Sequence, residues 1–419
     1  MTAQDSTSES TSFGRRFTFL ILSLTLFGAR SCCCDGIPVF KVQGKHYDVG
    51  YKIGQQFRKE LQNLYFNFEI LFDELIPFYQ TDEGYDIFTE YLEIVNETYP
   101  GYLDELYGIS AGAFVPFDRI FLMHIRPEVE LLLQQQRPQH PRNLTMTSSC
   151  SDVMLNYKDI ATGQQYTLHA HNEDTDTINK GQAFILQVLI TDDEGAVKEN
   201  FTVLSYAGQV FGVFLGFNMH GLTFSANSLF PKSTQRNKTP ILFMSRAAFA
   251  AKTVDEAMSV VLHDKYGAAT GFSVNVGAMS RSKDNLTLMN IEVSPDATKG
   301  KTRWTNVTIP VMNNNKDGSY YHFNMYKNSA VAQYDDPSSE HRQARANQLP
   351  VPKDLTGILD ILGDTKDKNY PLYRTGSEKD PIATVATGVF DLIKGTWSLY
   401  DDNPKTSQGP VLVFQLPTQ

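Results

Sequence analysis

Cysteine is scarce in this 419-residue chain: there are four, and three of them are adjacent, Cys32, Cys33 and Cys34. That distribution excludes a disulfide framework and leaves Cys150 without an evident bonding partner. Positive charge is also short. Lys and Arg total 37 against 47 Asp and Glu, the net charge is -10, and no basic block occurs, so nucleic acid is excluded as a partner. Long apolar runs are missing too, since the run Phe17 to Ala29 is too short to span a bilayer comfortably. No internal repeat is visible. With 41% hydrophobic and 20% charged residues, the chain has the make-up of a globular protein with a substantial core.

The N-terminus reads as an address. Met1 to Gly14 is rich in Ser and Thr and is expected to be disordered; Arg15 and Arg16 then precede the apolar run, and small residues follow at Ala29 and Ser31. That order is the layout of a secretory signal peptide. The alternative is a short membrane anchor over residues 17–34 with the three clustered cysteines acylated, so a membrane is a partner only if this segment is retained. Six N-x-T triplets, at Asn96, Asn143, Asn200, Asn237, Asn285 and Asn306, are candidate glycosylation sites and favour a lumenal or secreted location.

Beyond residue 34 the chain changes texture twice. Apolar residues at helical spacing run from Tyr47 to Phe78, Tyr85 to Ile109 and Phe117 to Leu133, with breaks at Gly50, Gly54, Pro100 and Gly101. A polar, proline-bearing run follows, Gln134 to Ser149. Strands then dominate: the stretch after Cys150, Tyr166–Ala170, Ala183–Ile190, Phe201–Tyr206, Leu222–Asn227, Phe272–Met279, Leu286–Val293, Val307–Val311 and Val411–Leu416, with a helical insert at Ile241–Leu262. Helices gathered apart from strands predict an α+β fold. Residues 1–34 form the targeting segment and 35–419 one compact domain, its helical part 35–149 wrapped on 150–419.

A lone thiol at the start of a strand, after a cleavable polar segment, is placed for self-cleavage. Cys150 would attack the Ser149 carbonyl, convert the peptide to a thioester, and emerge as an N-terminal residue whose own amine acts as base. The bland alternative is a small apolar core residue. In the following strand, Leu168, Ala170, Asn172 and Asp174 share one face and His169, His171 and Glu173 the other. Asp174 could orient the new amine and Asn172 hold a substrate carbonyl, or both could be polar residues of a strand end. Glu173 could pair with a substrate ammonium. His169-x-His171 is the skeleton of a zinc site, but His220 and His263 are isolated and no further ligands follow, so no metal or other cofactor is expected. Asn227 ends an apolar strand, where it could stabilise an oxyanion or form a turn. Ser273, Asn275, Glu292 and Arg342 carry the same ambiguity between site and scaffold.

Several segments, in order, resemble a known family: SCSDVML, HNED, LSYAGQVFG with NMHGLTFSANSL, GAATGFSVNV, LMNIEVSP, YYHFN, SSEHR and VATGVFDLIKGTWSLYDDNP. Together they are similar to the C45 group of N-terminal-nucleophile hydrolases, over nearly everything from Ile37 onward. The resemblance implies a four-layer αββα sandwich made as a precursor that cuts itself between Ser149 and Cys150, its two pieces staying associated. Cys150 would be the nucleophile, Asp174 would position the amine, Asn227 would contact the oxyanion, and Arg342 matches a motif arginine near the site. Ser149 stands where the family commonly has glycine. The implied reaction is cleavage of a small N-acyl amine, such as a β-alanyl conjugate of a biogenic amine. Acyl transfer to an amine acceptor is an alternative, as is a catalytically silent secreted glycoprotein that binds amines.

Overall fold

The computed structural model of the chain describes residues 36–136, 148–208, 215–262, 265–279, 286–298, 300–309, 318–377 and 380–418. Gly36–Gln419 forms one compact unit. The N-terminal segment read as a signal or anchor, Asn143, Asn285 and most of the polar run before Cys150 lie outside the described residues.

The first strand, β1 (Val39–Gly44), leads into seven helices: α1 (His46–Gln56), α2 (Arg58–Asn67), α3 (Ile76–Tyr79), α4 (Asp82–Thr98), α5 (Pro100–Ala113), α6 (Phe117–His124) and α7 (Arg126–Gln136). A five-residue π-helical stretch, Leu71–Leu75, precedes α3. Local chemistry sets several of the ends. Thr81 caps α4 by accepting the Gly84 N–H at 3.0 Å, and Pro100 opens α5 at a position whose N–H would have no helical acceptor. Of the expected breaks only Pro100 divides a helical reading; Gly50 and Gly54 lie inside α1 and Gly101 inside α5, while the divisions at Phe57, Phe68 and Ile125 were not anticipated.

Gly50 and Gly54 serve a close helix crossing. A Cβ on Gly50 would lie 2.1 Å from the Glu105 carbonyl oxygen, and one on Gly108 would lie 2.2 Å from that of Tyr47. Gly54 and Gly112 repeat the contact one turn on. Backbone therefore meets backbone between α1 and α5, an approach that any larger residue prevents.

Strands supply the rest: β2 (Ser148–Lys158), β3 (Gln165–Asp176), β4 (Phe184–Thr191), β5 (Val197–Ser205), β6 (Leu215–Asn218) and β7 (Leu222–Leu229). Two helices follow, α8 (Ile241–Phe249) and α9 (Val254–Leu262), then β8 (Gly271–Ala278), β9 (Thr287–Pro295), β10 (Thr302–Ile309) and β11 (Gly318–His322). The chain closes with α10 (Pro337–Gln348), α11 (Leu355–Leu362), β12 (Ile382–Asp391), β13 (Thr396–Tyr400) and β14 (Leu412–Gln415). One sheet has eight strands in the order β1-β4-β5-β6-β7-β8-β9-β10, and the other has six, β11-β2-β3-β12-β13-β14. Only β1 with β4 is parallel among these pairs. The α+β class read from the sequence stands. The strands β1, β6, β11, β12 and β13 and the helices α10 and α11 were not anticipated; β12 is central in its sheet, but its Thr, Ala and Gly content carries little alternation.

Alternation along the strands sorts the core. On the larger sheet, Leu186, Val203, Phe224, Val274 and Ile291 pack with helix residues such as Leu64, Tyr91, Phe121 and Phe243. On the smaller, Val153, Leu155, Leu168 and Ala170 pack with Ala346 of α10 and Ile358, Ile361 and Leu362 of α11. The remaining faces of the two sheets meet. Part of that meeting is apolar, through Met154, Ile185, Leu215, Phe390 and Trp397. The rest is polar, and it contains Cys150.

The glycine crossing gives a sign test. Helix propensity alone would make Gly108→Ala stabilising by about 1 kcal/mol. The contact with Tyr47 instead makes it destabilising by about 1–3 kcal/mol, which equilibrium urea unfolding of the variant will read.

Candidate active site

Cys150 is wholly buried near the start of β2. Pairing of β2 with β3 sets Cys150 opposite Glu173, Asp152 opposite His171, and Ser149 opposite Asp174. Directly opposed residues share a face, so the sulfur joins Glu173, His171 and Asp152 on the side toward the larger sheet. Asp174 and Asn172 take the opposite side.

The sulfur lies 4.0 Å from Glu173 Oε2. That oxygen is also 3.0 Å from His171 Nε2, while Glu173 Oε1 accepts the Tyr206 hydroxyl at 2.6 Å. On its far side, His171 Nδ1 is 3.0 Å from Asp152 Oδ2. Asp152 is fixed in turn from the facing sheet: Ser225 donates to Oδ1 at 2.5 Å and Asn227 Nδ2 to Oδ2 at 2.6 Å. The network runs on through Ser273, which donates to Asn227 Oδ1 at 2.9 Å, and through Asn275, which gives its amide to Ser225 and Asn227. It ends at His322, whose Nε2 is 3.1 Å from Glu292 Oε1.

Burial dominates the electrostatics, and charge pairing decides the outcome. Burial opposes a charged His171, yet Asp152 and the sulfur hold it well above its ordinary pKa. Burial likewise opposes a charged Asp152, but His171 and the bonds from His169 and His171 keep its carboxyl far below the usual range. His169, bonded to Ser225 at 2.8 Å, is pushed down by burial. The Cys150 thiol is pushed up to about 11, by burial first and then by Glu173.

A second set of contacts grips the backbone of Cys150. Its N–H donates to Asn324 Oδ1 at 2.8 Å, and its carbonyl accepts Arg342 Nη1 at 2.6 Å. Arg342 Nη2 also reaches Asn324 Oδ1 at 3.0 Å, so one guanidinium spans both. Asn324 follows β11 on a loop whose course is set by Glu292, which accepts the backbone N–H groups of Lys327, Asn328 and Ser329.

Of the residues singled out from sequence, the fold gathers Cys150, Glu173, Asn227, Ser273 and Asn275 on one network, with Arg342 on the backbone of Cys150. Asn172 stands apart. Its amide donates to Leu362 and Leu372 carbonyls at 2.9 and 3.0 Å and its oxygen accepts Thr387, so it ties β3 to α11 on the face away from the sulfur. Asn227 lies within β7 rather than in a turn. Asp152, Asn324 and Tyr206 escaped the sequence reading. Asp152 had a signal, since two residues past Cys150 in a strand means the same face; Asn324, 174 residues away, had no local one.

Cys150, His171 and Glu173 also offer atoms within 4.8 Å of one another, a grouping that could hold a metal ion among the described residues. Its chemistry does not suit one. With a carboxylate against each ring nitrogen, His171 is held as imidazolium and has no lone pair to give.

Asp174 Oδ1 accepts Thr384 at 2.6 Å, while Oδ2 is buried and has no hydrogen-bond partner among the described residues. Burial pushes its carboxyl up to about 7, although Arg374 and Arg342 pull the other way. Because the folded value is raised, the contribution to stability is full below the unfolded pKa and is lost as pH rises through about 7. Asp174→Asn should therefore flatten the pH dependence of unfolding between about pH 4 and 7, by up to ~1.4 kcal/mol per pH unit, in denaturant melts of both proteins.

The family model of acyl-coenzyme A:6-aminopenicillanic acid acyl-transferase matches residues 161–406, a span that holds His171, Glu173, Asp174, Asn227, Asn324 and Arg342. The β-alanyl-dopamine/carcinine hydrolase of Drosophila melanogaster is 29% identical over 384 residues, covering 89% of this chain and 95% of that protein. The C45-type resemblance seen in the sequence stands on both. This chain belongs to the acyl-coenzyme A:6-aminopenicillanic acid acyl-transferase family.

Proposed function

We propose that this protein is a self-processing cysteine amidohydrolase of the N-terminal-nucleophile type, cutting small N-acyl amines through a thioester on Cys150. The observation that carries this reading is the double hold on Cys150. Asn324 takes its nitrogen and Arg342 its carbonyl, while the sulfur is turned into the buried polar network between the sheets. Any buried cysteine needs its backbone groups paired, but one that only packs has no need of a sulfur set against a carboxylate and an imidazole. Helices against the outer face of each sheet support reading the fold as the αββα sandwich of that class.

In this reading the Ser149–Cys150 bond is cut within β2, and the two pieces stay together. β1 of the first piece is a strand of the larger sheet beside β4, and the helices share a core with that sheet. The released α-amine, with a reference pKa of about 7.7–8.0, suits base catalysis near neutrality. Asn324 Oδ1 already lies on that nitrogen and would orient it. Asp174, opposite Ser149, assists processing. Asn227, one N–H on Asp152, has a second for the oxyanion. Water then clears the thioester. The Drosophila relative points to β-alanyl conjugates of biogenic amines as substrates, and Glu173, Ser273 and Asn275 lie on the network nearest that chemistry. The family match favours a second reading, in which an amine takes the acyl group in place of water.

Intact mass and N-terminal sequencing of purified protein should show a chain beginning at Cys150, and Cys150→Ala should remain whole and inactive. A Cys150→Ala chain still cut at that bond defeats the reading. Supplying β-alanyl-dopamine and carcinine, with and without an added amine acceptor, separates hydrolysis from transfer.

The secretory route is part of the proposal, with the short anchor as its alternative. Asn96, Asn200 and Asn237 are exposed, as acceptors of glycan must be. Protein from a eukaryotic secretory host should lose mass on treatment with an N-glycosidase; an unchanged mass counts against that route.

A further inference from the structure

The α-amine that acts as base after cleavage cannot act before it. In the uncut chain that nitrogen is an amide, its N–H already given to Asn324. Self-cleavage therefore requires another acceptor for the thiol proton. We propose that Glu173 is this acceptor, and that His171, pinned by Asp152, is the counter-ion of the thiolate that forms. The inference rests on the self-cleavage reading above and assigns Glu173 a role in the precursor in addition to any contact with substrate.

The geometry singles out this carboxylate. Glu173 Oε2 is 4.0 Å from the sulfur, the outer reach of an S–H···O contact. Asp174 lies on the opposite face, across from Ser149. His169 is directed at Ser225 and Asp152. His171 also meets the sulfur, but with a carboxylate against each ring nitrogen it is a donor with no lone pair for the thiol proton, so its charge is left to the site. Asp152 cannot swing away, because Ser225 and Asn227 grip both of its oxygens. Tyr206 fixes the other oxygen of Glu173 at 2.6 Å, and Oε2, which already faces His171 Nε2, has a second lone pair for the thiol proton. The imidazolium stabilises the developing thiolate at short range in a water-poor setting, where such charges interact most strongly.

The step balances. The Sγ proton moves to Glu173 Oε2, and sulfur attacks the Ser149 carbonyl carbon, whose π electrons go to oxygen. On collapse the C=O re-forms and the C–N bond breaks. Its electron pair stays on the Cys150 nitrogen, which takes the proton back from Glu173. Water then splits the thioester, giving the Ser149 carboxylic acid and the Cys150 thiol. One water is consumed and nothing is oxidised or reduced.

Full-length wild type, Glu173→Gln and Glu173→Asp, made by cell-free translation, can be followed by intact mass over time from about pH 5 to about pH 9. Glu173→Gln should slow cleavage at Ser149–Cys150 on the order of 100-fold and make its rate climb with hydroxide, since solvent must then take the proton. Glu173→Asp, with the same group on a shorter stem, should recover part of the rate. Cleavage of Glu173→Gln at the wild-type rate with the wild-type pH profile overturns the role of Glu173 alone. Equal slowing of both variants, with matching losses in melting temperature, also overturns it, because that is the signature of a scaffold residue. A wild-type chain that stays whole overturns the self-cleavage reading itself, and this inference with it.

Discussion

The charge on His171 is what the inner architecture is built to hold. A buried imidazolium is tolerable only when paired and hydrogen-bonded, and here carboxylates of Asp152 and Glu173 take its two nitrogens. Those carboxylates bring their own requirements. Ser225 and Asn227 on the facing sheet satisfy Asp152, and Tyr206 satisfies Glu173. The two sheets are thus locked in register by hydrogen bonds at one end and by apolar packing around Phe390 and Trp397 elsewhere. A one-residue slip of β2 against β3 would turn Asp152 and the sulfur toward the hydrophobic residues of α11 and put Val153 among polar groups.

The same network returns to Cys150 by a second route. Ser273 and His322 carry it to Glu292, which fixes the loop beyond β11, and Asn324 on that loop meets the Cys150 nitrogen. Sulfur and backbone of one residue are therefore held by separate parts of the chain, on β3 and on the segments around Asn324 and Arg342. Such convergence holds the sulfur and backbone of Cys150 in one geometry, which is the condition that the proposed attack on a carbonyl needs.

The sequence was legible where local chemistry dominates. Helix breaks at Pro100 and the apolar alternation of β4, β7, β8 and β9 reflect the residues themselves. The division of β3 into a His169–His171–Glu173 face and a Leu168–Ala170–Asn172–Asp174 face followed from pleat alone, and the structure keeps it. Polar alternation in TFSAN, FSVNV and NIEV was harder to interpret. Such strands ordinarily present one face to water, whereas Ser225, Asn227, Ser273, Asn275, Asn290 and Glu292 are all buried. Their polar side chains satisfy one another and the second sheet, a cost and compensation that no single strand reveals.

By itself, the sequence determined the α+β class, the strand position of Cys150 and the parity of its neighbours, because these depend on spacing of only a few residues. Only the tertiary structure decided that Cys150 stands opposite Glu173 and that Asn172 serves the scaffold. It also decided that Asn324 and Arg342 close on the Cys150 backbone. Those outcomes depend on strand register and on contacts across 174 and 192 residues, where the energy comes from satisfying buried charges that the intervening chain does not encode locally.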